Sequence, residues 1–466
     1  MADFPQAPSY RPDPAILKLG DAFYDVVAAA DFPQTVLRFR NDRAATEIGL
    51  ENLGDDQWLA HFGRFQPLAG NLSQPLALRY HGHQFRSYNP ELGDGRGFTF
   101  AQMRRSDGAL LELGTKGSGQ TPWSRFGDGR LTLKGGVREV LATEMLEALG
   151  VMTSRSFSLI ETGEALQRND EPSPTRSAVL VRMSLGHIRI GTFQRLAYFS
   201  DAENMRRLVD YCLTEMFGVE PGEDPVAQFF ALVVDRTAAL AASYMVAGFV
   251  HGVLNTDNIN VMGESFDYGP WRFAPVFDPG FTAAYFDHSG LYAYGRQPDA
   301  ILWNVAQLAV SLRLISEAPP LIERLERFEP LYRRHYTTPL LRRLGLAPGQ
   351  PDDARDWAFK DAIDDALIAT QWPIDRFFFD AFGGELPEGY GPEWDKVRAA
   401  LAGYAPVPGG RAHPYFSDAE PCSMLIDEVE AIWSAIDRDD DWEPFNAKVA
   451  AIRRMGRALS GQTGHR

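Results

Sequence analysis

Hydrophobic and polar positions along the chain follow two periods, and the change between them falls near residue 190. From about residue 97, short apolar runs bounded by turn residues predict strands. They are "GFTFAQM", then "ALLELGTKG" after the Ser106-Asp107-Gly108 turn, and later "SFSLI" and "SAVLVRM". One stretch breaks the pattern: in "VREVLATEMLEALG", Val137, Leu141, Met145 and Ala148 recur at helical spacing, and Gly150 is a natural C-cap. From residue 200 the helical period takes over. Ser200 with Glu203 has the form of a capping box, and Met205, Leu208, Val209, Cys212, Leu213 and Met216 share one face, which places Cys212 in a core. Further helices are predicted over 226–250, 301–315 and 424–433.

This order of elements predicts an α+β protein. By analogy it is a protein-kinase-like two-lobed fold, with a sheet-rich N-lobe carrying one helix, a helical C-lobe, and a nucleotide cleft between them. The corresponding segments are an N-terminal extension (1–75), the N-lobe (76–190), the C-lobe (191–400) and a helical C-terminal segment (401–466).

Composition narrows the partners. With 45% hydrophobic and 12% aromatic residues in 466, the chain can bury a large core, which excludes a disordered protein. A net charge of -16 repels polyanions, so neither nucleic acid nor an anionic membrane is expected as a partner, and any phosphate must be held by local cations. The two cysteines, Cys212 and Cys422, cannot form a disulfide framework, and no Cys/His cluster suggests zinc. The opening "MADFPQAPSYRPDP" lacks the basic and apolar regions of a signal peptide, so a cytoplasmic location is expected. The most apolar stretch, 226–250, carries Asp235 and Arg236 in its middle and reads as a buried core helix, since charges at a bilayer centre are costly.

Kinase-like enzymes set a strand lysine against the nucleotide phosphates and hold it with a glutamate from the small-lobe helix. Lys116 and Glu139 fit those places, with Lys116 projecting opposite to Leu111, Leu113 and Thr115; taken alone, such a pair is more often a surface lysine and a solvated glutamate. "HGVLNTDN" alters that balance. Small-molecule kinases of this fold frequently use His-Gly-Asp-Leu, three variable residues, then Asn. Here His251, Gly252, Leu254 and Asn258 are in register, but Val253 occupies the aspartate position and can accept neither a proton nor a metal. Nine residues on, Asp267 in "FDYG" matches a metal-binding Asp-Phe-Gly element, and a carboxylate with an amide oxygen suits Mg2+, or Mn2+, which takes the same ligands.

Asp257, beside Asn258, is the candidate for a displaced general base. That role requires the nucleotide to lie reversed, with its α-phosphate near the metal and its outer phosphates against cations elsewhere. Gly93, Gly95 and Arg96 in "LGDGRG", Arg182 and Arg189 in "VRMSLGHIR", and the Asp128-Gly129 turn supply candidates, although each alone is more often an ordinary turn or a surface pair. "HGH" (81–83) lacks further ligands at metal spacing and reads as packing.

The combination of "YHGHQFRSYNPELGDGRG", "TKGSGQTPWSRFGDGR", "VREVLATEMLEALG", "VRMSLGHIRIGTF", "FVHGVLNTDNINVMGESFDYGP" and "FDPGF" followed by "YAYGRQP" resembles the selenoprotein O family, pseudokinases that act as protein adenylyltransferases. The resemblance spans about residues 75–315. It implies ATP bound in a flipped orientation and AMP passed to Ser, Thr or Tyr hydroxyls of protein substrates. By position it assigns proton acceptance to Asp257 and the metal to Asn258 and Asp267. It assigns nucleotide contacts to Gly93, Gly95, Arg96, Lys116, Asp128, Gly129, Arg182, Arg189 and Asp267, and lysine positioning to Glu139. Family members commonly carry a selenocysteine or cysteine near the C-terminus, whereas the last cysteine here is Cys422, so redox control through a tail is not expected. A small-molecule phosphotransferase and a silent nucleotide-binding scaffold are the competing readings. Val253 opposes the first, and the retained Lys116, Glu139, Asn258 and Asp267 oppose the second.

Overall fold

The computed structural model describes residues 10–169, 171–349 and 353–461. In chain order its first half contains β1 (Tyr24–Val26), β2 (Val36–Arg40), α1 (Asp42–Glu47), α2 (Asp55–Phe62), β3 (Leu76–Leu78), β4 (Gly82–Gln84), β5 (Ser87–Asn89), β6 (Thr99–Arg104), β7 (Leu110–Lys116), β8 (Leu131–Thr132), α3 (Leu133–Leu149), β9 (Arg155–Leu166) and β10 (Thr175–Ser184). The second half is α4 (Ile190–Tyr198), α5 (Ala202–Tyr211), α6 (Pro225–Ala247), β11 (Phe249–Val250), β12 (Arg272–Phe273), α7 (Gln297–Leu312), α8 (Ala318–Leu325), α9 (Phe328–Arg343), α10 (Asp353–Thr370), α11 (Ile374–Asp380), α12 (Asp395–Leu401), α13 (Ile426–Asp439) and α14 (Glu443–Leu459).

Among the described residues eight strands form one antiparallel sheet in the order β1-β3-β6-β7-β10-β9-β2, with β8 also paired to β10. The run "SAVLVRM" lies within β10, between β7 and β9. Both its faces are covered, so it is continuously apolar where an edge strand would alternate. The 106–108 turn forms as expected: Asp107 Oδ1 accepts from the Ala109 N–H at 3.1 Å, and Gly108 supplies φ of +90°. Residues ahead of 76 belong to this sheet through β1 and β2.

The central helix α3 begins four residues before Val137, because the Thr132 side chain caps it by accepting from the Gly135 N–H at 3.1 Å. It stops at Gly150 with φ of +85°. The sheet carries more than the one helix expected. On its other face α1 packs Ala44 and Ala45 into the core while α2 sets Trp58 and Phe62 against Phe157, the Trp58 and Phe157 rings stacked at 4.8 Å, and Trp58 Nε1 donates to Ser158 at 2.9 Å. These helices have six and eight residues, too few turns for a strong periodic signal. The cap of α5 also differs. Asp201 accepts from the Asn204 N–H, while Ser200 sits at φ of +54° in the turn closing α4.

Helix α6 is long and apolar enough to cross a membrane by length and composition, yet it is mostly buried against protein. Phe229, Phe230, Val233, Val234 and Ala241 are fully buried, and Asp235 reaches His335 of α9 at 2.9 Å. Cys212 is fully buried in the same core. The chain's last helices return to the sheet half. Gly456 of α14 packs on Ala148 of α3, Arg453 grips the buried Glu144 at 2.6 and 2.8 Å, and Lys134 pairs with Glu430 of α13 at 2.7 Å.

Candidate active site

A cleft of about 660 Å³, within the range of small-ligand sites, opens where β7 and β10 meet the segments after β11. Its lining gathers Gly93, Gly95, Arg96, Lys116, Asp128, Gly129, Arg182, Arg189, Asp257 and Asp267, residues spread over more than a third of the chain. Glu139 sits behind them, fully buried on α3.

Lys116 ends β7 and is almost enclosed, with a side-chain exposure of 5%. Its Nζ meets Glu139 Oε2 at 2.6 Å and Asp267 Oδ1 at 3.1 Å, and donates to the Tyr268 carbonyl at 3.3 Å. The surface-lysine alternative is thereby removed. On the neighbouring strand Arg182 stands opposite Gly114 and approaches Asp267 at 3.4 Å and Glu139 at 3.6 Å. Arg189 precedes α4; it donates to the Asp257 carbonyl at 3.2 Å and to Asp94 Oδ1 at 3.3 Å, and its guanidinium lies 4.1 Å over the Tyr80 ring. Burial works against charge on Asp267, but Lys116, Arg182 and Arg189 outweigh it and hold the carboxyl well below the usual carboxylate range. Asp267 has φ of +63°, a left-handed conformation that aspartate tolerates better than most residues.

Asp257 lies in a one-turn helix spanning Thr256–Asn258. Burial pushes its carboxyl up to about 6, near the operating pH of a general base. Its Oδ2 accepts a long hydrogen bond of 3.4 Å from Gln84 Nε2, while its buried Oδ1 has no protein partner. Asn258 does not line the cleft; its amide donates to the Val253 carbonyl at 3.0 Å. His251 is fully buried and braces the loop, donating through its backbone N–H to Gln297 and from Nε2 to the Phe266 carbonyl, each at 3.0 Å.

The glycines are demanded by close approach. A Cβ at Gly93 would lie 2.4 Å from Trp123 Cγ, and one at Gly129, where φ is +70°, would lie 2.3 Å from the Gly119 backbone. Asp128 pairs with Arg168 at 2.8 Å at the exposed rim.

Sequence reasoning missed the hairpin β4–β5. Its backbone N–H groups at His83 and Phe85 donate to Thr256 Oγ1 at 2.6 Å and Asn255 Oδ1 at 3.0 Å, tying it to the Asp257 loop. The absent Cβ of Gly82 would lie 3.1 Å from Asp257. The signal was present in "YHGHQ", which reads as packing from its histidines, whereas Gly82 and Gln84 make the contact with Asp257. Among the described residues no group of three or more His, Cys, Asp or Glu side chains is arranged to hold a metal. The donors that do converge, the Asp267 carboxylate and the unpartnered Asp257 Oδ1, are hard oxygens of the kind Mg2+ accepts beside nucleotide phosphates.

The chain matches the family described as Protein adenylyltransferase SelO over residues 8–389. The chain belongs to that family. The protein nucleotidyltransferase YdiU of Synechocystis sp. is 42% identical to it over 95% of this chain and 97% of the relative. That of Gloeobacter violaceus is 45% identical over 95% of each, and that of Synechococcus elongatus 43% over 95% of each. The SelO family assignment makes the chain a nucleotidyltransferase with a kinase-like fold, acting with a nucleotide and a protein target.

Proposed function

We propose that this enzyme transfers AMP from ATP to Ser, Thr or Tyr hydroxyls of target proteins, with ATP lying reversed in the cleft relative to a kinase. The observation that carries the reading is the pairing of Val253, where a phosphotransferase would have its aspartate, with Asp257, whose buried Oδ1 lacks a partner. Asp257 takes the proton of the acceptor hydroxyl. The freed oxygen bonds to the α-phosphorus, the bond from that phosphorus to the bridging oxygen of the β-phosphate breaks, and pyrophosphate leaves.

Lys116, oriented by Glu139, together with Arg182 and Arg189, presents fixed positive charge to the phosphates. Arg96 and the backbone at Gly93 and Gly95 offer an anion-binding turn, and Asp128-Gly129 borders the adenosine end. Asp267 would hold Mg2+ or Mn2+, and Asn258, tied to the Val253 carbonyl outside the cleft lining, would join it only by turning its amide oxygen inward; the ion would supply positive charge to the phosphate oxygens during transfer. The free thiols Cys212 and Cys422 fit a reducing, cytoplasmic compartment.

The test is incubation with magnesium and ATP labelled at the α- or the γ-phosphate. Label on protein should come from the α-phosphate alone and disappear in Asp257→Ala. Transfer of γ-label would overturn the reading in favour of a phosphotransferase, and transfer of neither, to targets or to the enzyme itself, would favour a scaffold.

A further inference from the structure

Behind the cleft, a second set of polar groups is sealed inside the sheet. Glu112 on β7 and His187, in the link between β10 and α4, are 2% and 3% exposed, and Arg182 is 6% exposed. Arg182 Nε–H donates to His187 Nε2 at 3.1 Å, and His187 Nδ1 contacts Glu112 Oε1. An arginine Nε can only donate, so His187 Nε2 must be bare. A neutral imidazole then carries its proton on Nδ1, which donates it to Glu112. Glu112 is fixed in turn, accepting from Thr99 Oγ1 and Gln102 Nε2, both at 2.8 Å.

The space for this arrangement comes from Gly114. It stands opposite Arg182 across the β7–β10 pairing, and a Cβ there would lie 2.3 Å from His187 Cε1. Any other residue would push the ring away. A buried histidine with no task beyond filling space would not need a missing side chain on one side, a carboxylate on the second and a guanidinium on the third.

We infer that Glu112 and His187 are positioning residues for nucleotidyl transfer: Glu112 fixes the His187 tautomer, and His187 holds the Arg182 guanidinium by its Nε so that its outer N–H groups face the nucleotide phosphates. Such an orienting partner matters because arginine has several rotatable bonds, and a group that must meet phosphate oxygens gains affinity from being held beforehand. Removing comparable orienting partners at metal sites costs roughly ten- to a hundredfold. The inference rests on the nucleotide reading of Arg182 given above.

The test combines calorimetric ATP·Mg2+ binding, kcat and KM for AMP transfer, and thermal melting in Arg182→Leu, His187→Leu, His187→Gln and the Arg182→Leu/His187→Leu double variant. Arg182→Leu and His187→Leu should each weaken ATP binding roughly tenfold or more, and the double variant should be no weaker than Arg182→Leu alone. His187→Gln should bind within about threefold of the parent, because its Oε1 can accept from Arg182 while its Nε2 donates to Glu112. If Arg182→Leu binds ATP normally, the nucleotide reading falls and the relay with it. If Arg182→Leu is impaired while His187→Leu melts lower but binds ATP normally, or if the two losses add in full, the relay alone is refuted. Should His187→Leu not fold, Gly114→Ala displaces the ring without touching the guanidinium, and normal ATP affinity in that variant refutes the relay.

Discussion

Replacing Lys116 by methionine keeps most of the side-chain volume and removes one buried cation. Its partner Glu139 is 1% exposed, and Glu139 Oε1 already has no hydrogen bond. Losing the 2.6 Å contact to Oε2 leaves that carboxylate with Arg182, 3.6 Å away, as its nearest cation. Breaking a buried ion pair from one side costs about 3–5 kcal/mol, and the remaining arginine places this case near the lower end. With an unfolding entropy of about 2 cal/mol/K per residue, a chain this long has a total near 1 kcal/mol/K, so the melting temperature should fall by roughly 3–4 °C. Adding Glu139→Gln removes the stranded charge and should recover most of the loss, a coupling that a double-mutant cycle measures. Scanning calorimetry at pH 7 reads the stability, and α-labelled ATP reads transfer, expected to fall by at least about a hundredfold in both variants because the phosphates lose a fixed cation. An unchanged melting temperature in Lys116→Met, or further destabilisation on adding Glu139→Gln, would refute the buried-pair reasoning.

Asp257→Asn should lower transfer by roughly 10²–10⁴-fold while ATP affinity changes little, as single-turnover assays and calorimetry would record; retained transfer would exclude Asp257 as the base. Burial pushes the Glu264 carboxyl up to about 8 while it accepts from the Leu185 N–H at 3.0 Å. The folded protein therefore keeps a proton that the unfolded chain releases near pH 4.5, and stability is full below that pH and lost progressively as pH rises to about 8. Glu264→Gln keeps the acceptor and should flatten this dependence, gaining on the order of 4 kcal/mol at pH 8 and nothing at pH 4; parallel stability profiles in denaturant would contradict it. Arg453→Ala leaves the buried Glu144 with Arg43 at 3.1 Å and should cost about 2 kcal/mol, with a loss of transfer that tracks the loosening of α3; wild-type stability would show that the C-terminal helix is not anchored there.

The sequence by itself determined the elements whose periodicity is strong and local. The strands β6, β7 and β10, most of α3 and the core helix α6 follow from apolar spacing, because a residue's preference for one face of a strand or helix is written in its near neighbours. It also carried the chemical identity of the cleft, since Lys116, Asp257 and Asp267 stand in stretches whose residue order is specific.

Short elements were out of reach. Helices α1 and α2 make too few turns to leave a period, and the choice of Asp201 over Ser200 as a cap depends on a backbone angle in the preceding turn. Only the tertiary structure decided which distant groups meet. It set Gln84 and Gly82 against Asp257, seated α14 on α3, and enclosed His187 between Glu112, Gly114 and Arg182. Those contacts join residues up to several hundred positions apart, and their energies come from burial and exclusion of water, which exist only once the sheet and helices have closed around them.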